Sequence, residues 1–295
     1  MQPTVVESSL VVVGSTASDI TAPARAGWVT AFGFAVVVEI DPTKNEVIGT
    51  LPDVAGAFMV AGTDEDLWLT HIDGNFVSHV ALDEGKTTQV DVGVSPSGIA
   101  VDESGVWVAN NDDGTVSRID PATEEVVATI EIGPIGLSDV VVAGDGSVWV
   151  AAFEDGLVYR IDPEANEVAS DPVSVGASAW RMAAGEGAVW SVDPEGGTVS
   201  RMAVETSEVE TVEVGTNPAA IASAEGWLWV ADASDGTLYR IDPVSSEATK
   251  TVRVEGIPVD LSWGAEALWV LWYKQGADEM WVTRVELSAP SESQT

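Results

Sequence analysis

The sequence predicts an all-β fold, a seven-bladed β-propeller with four antiparallel strands in each blade, on three observations. A tryptophan recurs at Trp28, Trp68, Trp107, Trp149, Trp190, Trp229 and Trp269, with successive gaps of 40, 39, 42, 41, 39 and 40 residues. A period of about 40 residues is that of a four-stranded blade. Around each Trp, apolar and polar residues alternate with period two, where a helical repeat of this length would space its apolar residues by 3.6. Finally, the two ends of the chain are complementary: the last unit runs out one strand early, and the first residues supply an unpaired apolar strand.

The third unit shows the construction most plainly. Strands at 106–109 and 115–119 flank Asp113-Gly114, a pair that turns a hairpin because Gly reaches positive φ at little cost. An Asp120-Pro121 turn leads to a strand at 125–132, and 96–102 supplies the innermost strand. In order, blade one spans 18–52, with strands expected at 28–32, 34–40 and 46–51, and blade two spans 55–92. Blades three to six begin at Ser95, Gly136, Ser178 and Asn217, and share the form Trp-x-x-x … Gly-x-x-x-Arg. Blade seven begins at Pro258, with strands at 259–263, 268–273 and 280–286 and a longer hairpin carrying Trp272, Tyr273 and Lys274. Its missing outer strand is expected from residues 5–13, whose pairing would remove an open sheet edge and close the ring. The reading is of one domain, 4–288, followed by a disordered polar tail, 289–295.

Composition narrows the partners. The 295 residues carry 48 acids against 12 Lys and Arg, a formal charge of −36, and no Cys. Such a surface repels phosphate backbones and anionic lipid, so neither nucleic acid nor a membrane surface is expected as a partner. No run of about 18 apolar residues exists to cross a bilayer as a helix. Absence of Cys removes thiolate metal sites and a cysteine nucleophile. The acidic balance suits an extracellular or periplasmic setting, although no leader is visible; a monomer is expected.

The units Val-Trp-Val-Ala-Asn-Asn-Asp-Asp-Gly-Thr-Val-Ser-Arg-Ile-Asp-Pro (106–121) and Leu-Trp-Val-Ala-Asp-Ala-Ser-Asp-Gly-Thr-Leu-Tyr-Arg-Ile-Asp-Pro (228–243) resemble the YVTN-repeat propellers and the related streptogramin (virginiamycin B) lyase-like propellers. The resemblance covers essentially the whole chain but concerns blade construction, which many functions share. For the lyases it implies catalytic histidines on the inner strands of neighbouring late blades, a Glu three residues after the anchor Trp, and a magnesium ion. The matching positions here are Ala219, Val259 and Trp272. With neither His nor Glu in those places, activity by that mechanism is not expected.

Two rings of residues carry the candidate site. Residues three after each Trp form one ring on the face of the second-to-third-strand turns: Ala31, His71, Asn110, Ala152, Asp193, Asp232 and Trp272. The starts of the inner strands form another at the channel mouth, in pairs: Ser18-Asp19, Phe58-Met59, Ser97-Gly98, Asp139-Val140, Trp180-Arg181, Ala219-Ala220 and Val259-Asp260. Small or apolar residues are expected near a crowded axis, so charges converging there with an aromatic mark a pocket. Expected ligand-binding residues are therefore Asp19, His71, Asn110, Asp139, Trp180, Arg181, Asp232, Asp260, Trp272 and Tyr273. His71, Asp19 and Asp260 are weak candidates for acid–base work. The blander account is a salt-bridge network of Asp19, Asp260 and Arg181 plugging the channel.

Elsewhere the bland account leads. His79 falls in a slot held by Arg118, Arg160, Arg201, Arg240 and Arg284, expected to pair with turn or neighbouring-blade carboxylates. The Asp-Gly turns follow no calcium-loop spacing. No cofactor is expected, with a divalent cation such as Mg or Ca left open. The favoured function is a non-catalytic propeller binding a small molecule, protein or peptide at the channel-mouth face. The alternatives are a lyase or hydrolase acting on a small molecule there, and a receptor's sensor domain.

Overall fold

A computed structural model describes residues 3–13, 17–23, 25–31, 36–277 and 279–287. The expected tail, 289–295, and the junction of the second and third blade-one strands around Phe32 and Phe34 lie outside the described residues. Within them, seven sheets are arranged as blades of a ring. Blades one to six take their strands in sequence order, and blade seven is built from both ends of the chain. There Pro3–Val13 pairs antiparallel with Glu279–Leu287, from Pro3 opposite Leu287 to Val13 opposite Glu279. The expected closure is present.

Tryptophan packing shows why the period is so regular. Each anchor side chain is buried and wedges against the second strand of the following blade. Trp28 meets Leu67 and Leu69, Trp107 meets Val148 and Val150, and Trp229 meets Leu268 and Val270. Trp269 then meets Ile20 and Val29 of blade one, so the contact cycle closes. A flat side chain of this size bridges two sheets about 10 Å apart, which a Leu could not do alone.

The shared Arg slot works differently from the sequence expectation. Arg118 lies over the Trp107 ring at 4.9 Å and donates to the carbonyls of Ser104 and Pro163 and to Asn166 Oδ1. Arg160 and Arg201 likewise lie over Trp149 and Trp190. Carboxylates are the minor partners, as in Arg160–Asp145 and Arg284–Glu286. A planar guanidinium stacks on indole and still satisfies turn carbonyls, which explains Arg rather than Lys. His79 reproduces this as a ring: it stacks on Trp68 at 4.3 Å and bridges Asp66 to Glu124 of blade three.

The outer strand of blade four is split into Glu167–Val168 and Val173–Ser174, both pairing with Leu157–Asp162. Pro172, which has no N–H for a ladder, stands in the gap.

Candidate functional site

The inner strands are not regular. In blades one, three, four, six and seven a register shift falls at the same place, so that Ser18, Ser138, Ala219 and Val259 are extra residues in four of these ladders and Ser97-Gly98 together oppose Ala109 in blade three. A bulge of this kind re-aims successive side chains, and such bulges favour barrel rims and sites. Here it turns two consecutive residues toward the axis. The extra residues Ser18, Ala219 and Val259 line a mouth on the second-to-third-strand-turn face, while Asp19, Asp139 and Asp260 face the waist of the channel.

At that waist the charges meet. Arg181 Nη1 lies 3.2 Å from Asp19 Oδ1, and Nη2 donates to the Ser18 carbonyl at 2.9 Å. Each aspartate also accepts an amide from the next blade: Asp260 from Ile20 at 2.9 Å, Asp19 from Val60 at 2.7 Å and Asp139 from Met182 at 2.7 Å. The carboxylates thus do structural work, stapling blades seven to one, one to two and four to five.

Burial and crowding shift Asp19, Asp139 and Arg181 from their ordinary titration. Burial, then the neighbouring Asp260 carboxyl, push Asp19 well above the usual carboxylate range, with Arg181 opposing. Burial raises Asp139 to about 6 against the pull of Arg181. Burial works to lower Arg181, but Asp260, Asp19 and Asp139 together raise it. The cluster therefore holds its guanidinium charged, while burial favours the protonated form of Asp19 and Asp139.

The plug separates two cavities. Below it, toward the first-to-second-strand turns, a funnel of about 670 Å³ is lined by Asp19, Asp139, Arg181, Asp260, Asp102 and Glu186 among others. Above it lies a mouth of about 510 Å³, lined by Phe58, Trp180, Pro258, Val259, Ile257 and Tyr273, with Arg181 at its floor. Arg181 belongs to both. Its Nε is buried without a hydrogen-bond partner.

The other expected ring sits inside the blades. His71 is buried, stacked on Phe76 at 4.3 Å and 2.8 Å from Ser78 Oγ, and burial lowers its pKa to about 4. It stands neutral and occupied. Asn110 donates to Thr115 and Ser117 and accepts the Gly93 amide. Asp193 and Asp232 cap crossings and turns: Asp193 accepts from Ala177 at 2.8 Å and Gly196 at 2.9 Å, and Asp232 from Thr216 at 2.7 Å. Burial would raise both, yet these bonds hold both below the usual carboxylate range. Trp272 Nε1 donates to Thr283 at 2.8 Å. The structure thus brings together Asp19, Asp139, Arg181 and Asp260, with Trp180 and Tyr273 above them, and holds His71, Asn110, Asp232 and Trp272 apart. Sequence reading placed Phe58 in the channel-mouth ring without choosing it as a ligand contact, and it did not single out Asn217, Ile257 and Pro258, because only the bulge reveals which residues flank the opening.

A magnesium ion held as the lyase resemblance implies does not fit these residues. Ala219 and Val259 carry no donor atom, and Trp272 Nε1 is an N–H already given to Thr283. Among the described residues, no group of three His, Cys, Asp or Glu is placed to hold a metal.

Comparison with known proteins agrees on the fold. A streptogramin B lyase structure superposes with a TM-score of 0.80 at 16% identity, over 94% of this chain and 95% of that one. A virginiamycin B lyase from Staphylococcus aureus gives 0.78 at 16%, over 95% and 99%. Kuenenia stuttgartiensis hydrazine synthase gives 0.76 at 15%, over 92% and 96%. At such identities the likeness is one of architecture. No curated protein matches the sequence. The family described as Domain of unknown function (DUF5074) matches residues 35–184.

Proposed function

We propose, for a chain that belongs to the DUF5074 family, that it is a binding propeller which takes a small molecule into the channel mouth between Phe58, Trp180, Val259 and Tyr273. One observation carries this reading: the bulged inner strands open an aromatic, apolar concavity of ligand size at the axis, floored by a buried guanidinium. Pockets that bury most of a small ligand are commonly apolar with a few placed polar groups. The reading includes a monomer in an extracellular or periplasmic setting, which the formal charge of −36 suits. The test is fragment screening by ligand-observed NMR on the purified protein, repeated with Trp180→Ser and Val259→Glu. Binding that both substitutions weaken supports the mouth; hits indifferent to both refute it.

A hydrolase or lyase is the second reading, favoured by the acids of raised pKa that line the funnel beneath. A carboxyl poised near neutral pH is what general acid–base work requires. It predicts turnover that falls with Asp139→Asn and has an acidic limb near pH 6. Turnover of a channel ligand that ignores Asp19→Asn, Asp139→Asn and Asp260→Asn would remove it.

A further inference from the structure

We infer that the mouth's ligand carries an anionic group, seated at the rim between blades six and seven against Arg253 and Lys274. The inference rests on the mouth-binding reading and adds the ligand's charge.

Three observations carry it. The mouth does not end at its aromatic wall: through Ala233 and Ile257 it continues into a second cavity of about 690 Å³, which Arg253, Lys274 and Gln275 border together with Glu255 and with Asp235, whose carboxylate accepts the Thr237 amide. The charges on this face are also unevenly spread. The second-to-third-strand turns of blades two to five carry Asp73, Asp112, Asp113, Glu154, Asp155 and Glu195 and no base. Among the described residues at this rim, the bases are Arg253 and Lys274, both beside that one cavity, on a chain with four acids for each base.

Finally, both cations remain available to a ligand. Arg253 is exposed, and its Nε donates to the Asp235 carbonyl at 2.7 Å, a bond that leaves its charge unneutralised. Lys274 meets Glu255 at 3.3 Å, but both side chains are about half exposed or more, so the pair is weak and exchangeable. Lys274 also lies over the Trp272 and Trp281 rings at 5.6 and 5.3 Å, which fixes its ammonium at the cavity edge.

The waist decides where the anion goes. Arg181 at the channel floor is already engaged by Asp19 at 3.2 Å and faces Asp139 and Asp260, so it offers an anion no unneutralised charge. The apolar body of the ligand therefore points down among Phe58, Trp180 and Tyr273, and its anionic end points outward to blades six and seven.

Two dyes with one apolar body test this: 8-anilinonaphthalene-1-sulfonate, an anion, and N-phenyl-1-naphthylamine, its neutral counterpart. Each is titrated by fluorescence into the intact protein and into Arg253→Ala/Lys274→Ala, Trp180→Ser and Val259→Glu variants of unchanged melting temperature. The anion should bind more tightly, and the double variant should weaken it about tenfold, as two exposed ion pairs allow, while leaving the neutral dye unchanged. Equal binding of the two dyes, with the double variant affecting neither but Trp180→Ser and Val259→Glu weakening both, overturns the anion preference and leaves the mouth in place. Binding of both dyes that ignores Trp180→Ser and Val259→Glu, or failure of both dyes to bind, overturns the mouth and the inference together.

Discussion

Replacing Asp139 by Asn should change how stability depends on pH. In the folded chain Asp139 titrates near 6, against 3.8 for an ordinary Asp, because its carboxyl is shut away from water. A raised carboxyl pKa means that the folded state holds its proton more tightly than the unfolded state. Its contribution is thus complete below pH 3.8, is lost as pH rises through 6, and stays lost above. A rise from 3.8 to about 6 corresponds to about 3 kcal/mol, at about 1.36 kcal/mol for each pH unit. The Met182 and Val140 amides bond different oxygens of Asp139, so the single oxygen of an Asn keeps one of them; the loss of the other is a fixed offset at every pH, and the Asn has no charge to desolvate. Relative to the parent, the variant should therefore gain about 3 kcal/mol between pH 3 and pH 8. For a chain of this length that is about 5 °C in the difference of melting temperatures, from about 2.1 cal/mol/K of unfolding entropy per residue. Urea unfolding at half-unit pH steps measures it, with the parent subtracted so that Asp19 and the general acidity cancel. A difference that stays constant within about 0.5 kcal/mol across that range would show that water reaches Asp139 and that the waist is not dry.

Four further outcomes follow from the same geometry. His71, lowered to about 4, carries the opposite sign: its stabilisation is complete above pH 6.5 and lost toward pH 4, so His71→Gln should flatten the acid limb by up to about 3 kcal/mol, read by the same titration. Arg181→Met strands the carboxyl it pairs and should cost about 3–5 kcal/mol at pH 7 but much less at pH 4.5, where the raised Asp19 and Asp139 protonate; equal cost at both would break the cluster account. Trp229→Ala should cost about 3–5 kcal/mol by leaving a cavity between blades six and seven, measured by urea unfolding. Deleting residues 3–13 bares the edge of Glu279–Leu287 and should lower the melting temperature and produce concentration-dependent association on size exclusion; an unchanged monomer would show that the strand is not the closure.

How much of this could be read from the chain depended on whether a signal was periodic. The Trp spacing counted the blades and placed the terminal strand, because burying one indole per sheet leaves the same mark seven times. The convergence of Asp19, Asp260 and Arg181 followed once the ring was closed, since ring closure brings blades one and seven together. What the sequence did not show was local. A β-bulge at Ser18, Ser138, Ala219 or Val259 depends on the partner strand and has no residue signature of its own, so the ring of His71, Asn110 and Asp232 looked as open as the waist. In the structure their side chains are consumed by turns, and Phe58 and Pro258 line the opening instead. The Arg slot was seen as a repeat but assigned to carboxylates, because stacking on Trp is a matter of strand register, which pairs Trp107 with Arg118.

Comparing equivalent positions separates what the ring needs from what it carries. Stacking of Arg on Trp recurs in blade after blade, and His79 preserves its geometry with a different ring, so that contact belongs to construction. The waist position behaves otherwise. It is Asp19, Asp139 or Asp260 in three blades, but Met59, Gly98, Ala220 and Arg181 in the rest. Gly98 answers to packing, because a Cβ there would come within 2.6 Å of Asp139 Cα. Met59 and Ala220 show that the blades assemble without a carboxylate stapling this point. Charge at the waist is therefore an added cost of desolvation that the fold does not demand, and it is gathered on one guanidinium that floors the apolar mouth at the described axis. A cost borne at non-repeating positions beside a cavity has no account in ring construction, and the proposed binding of a ligand at the mouth would supply one.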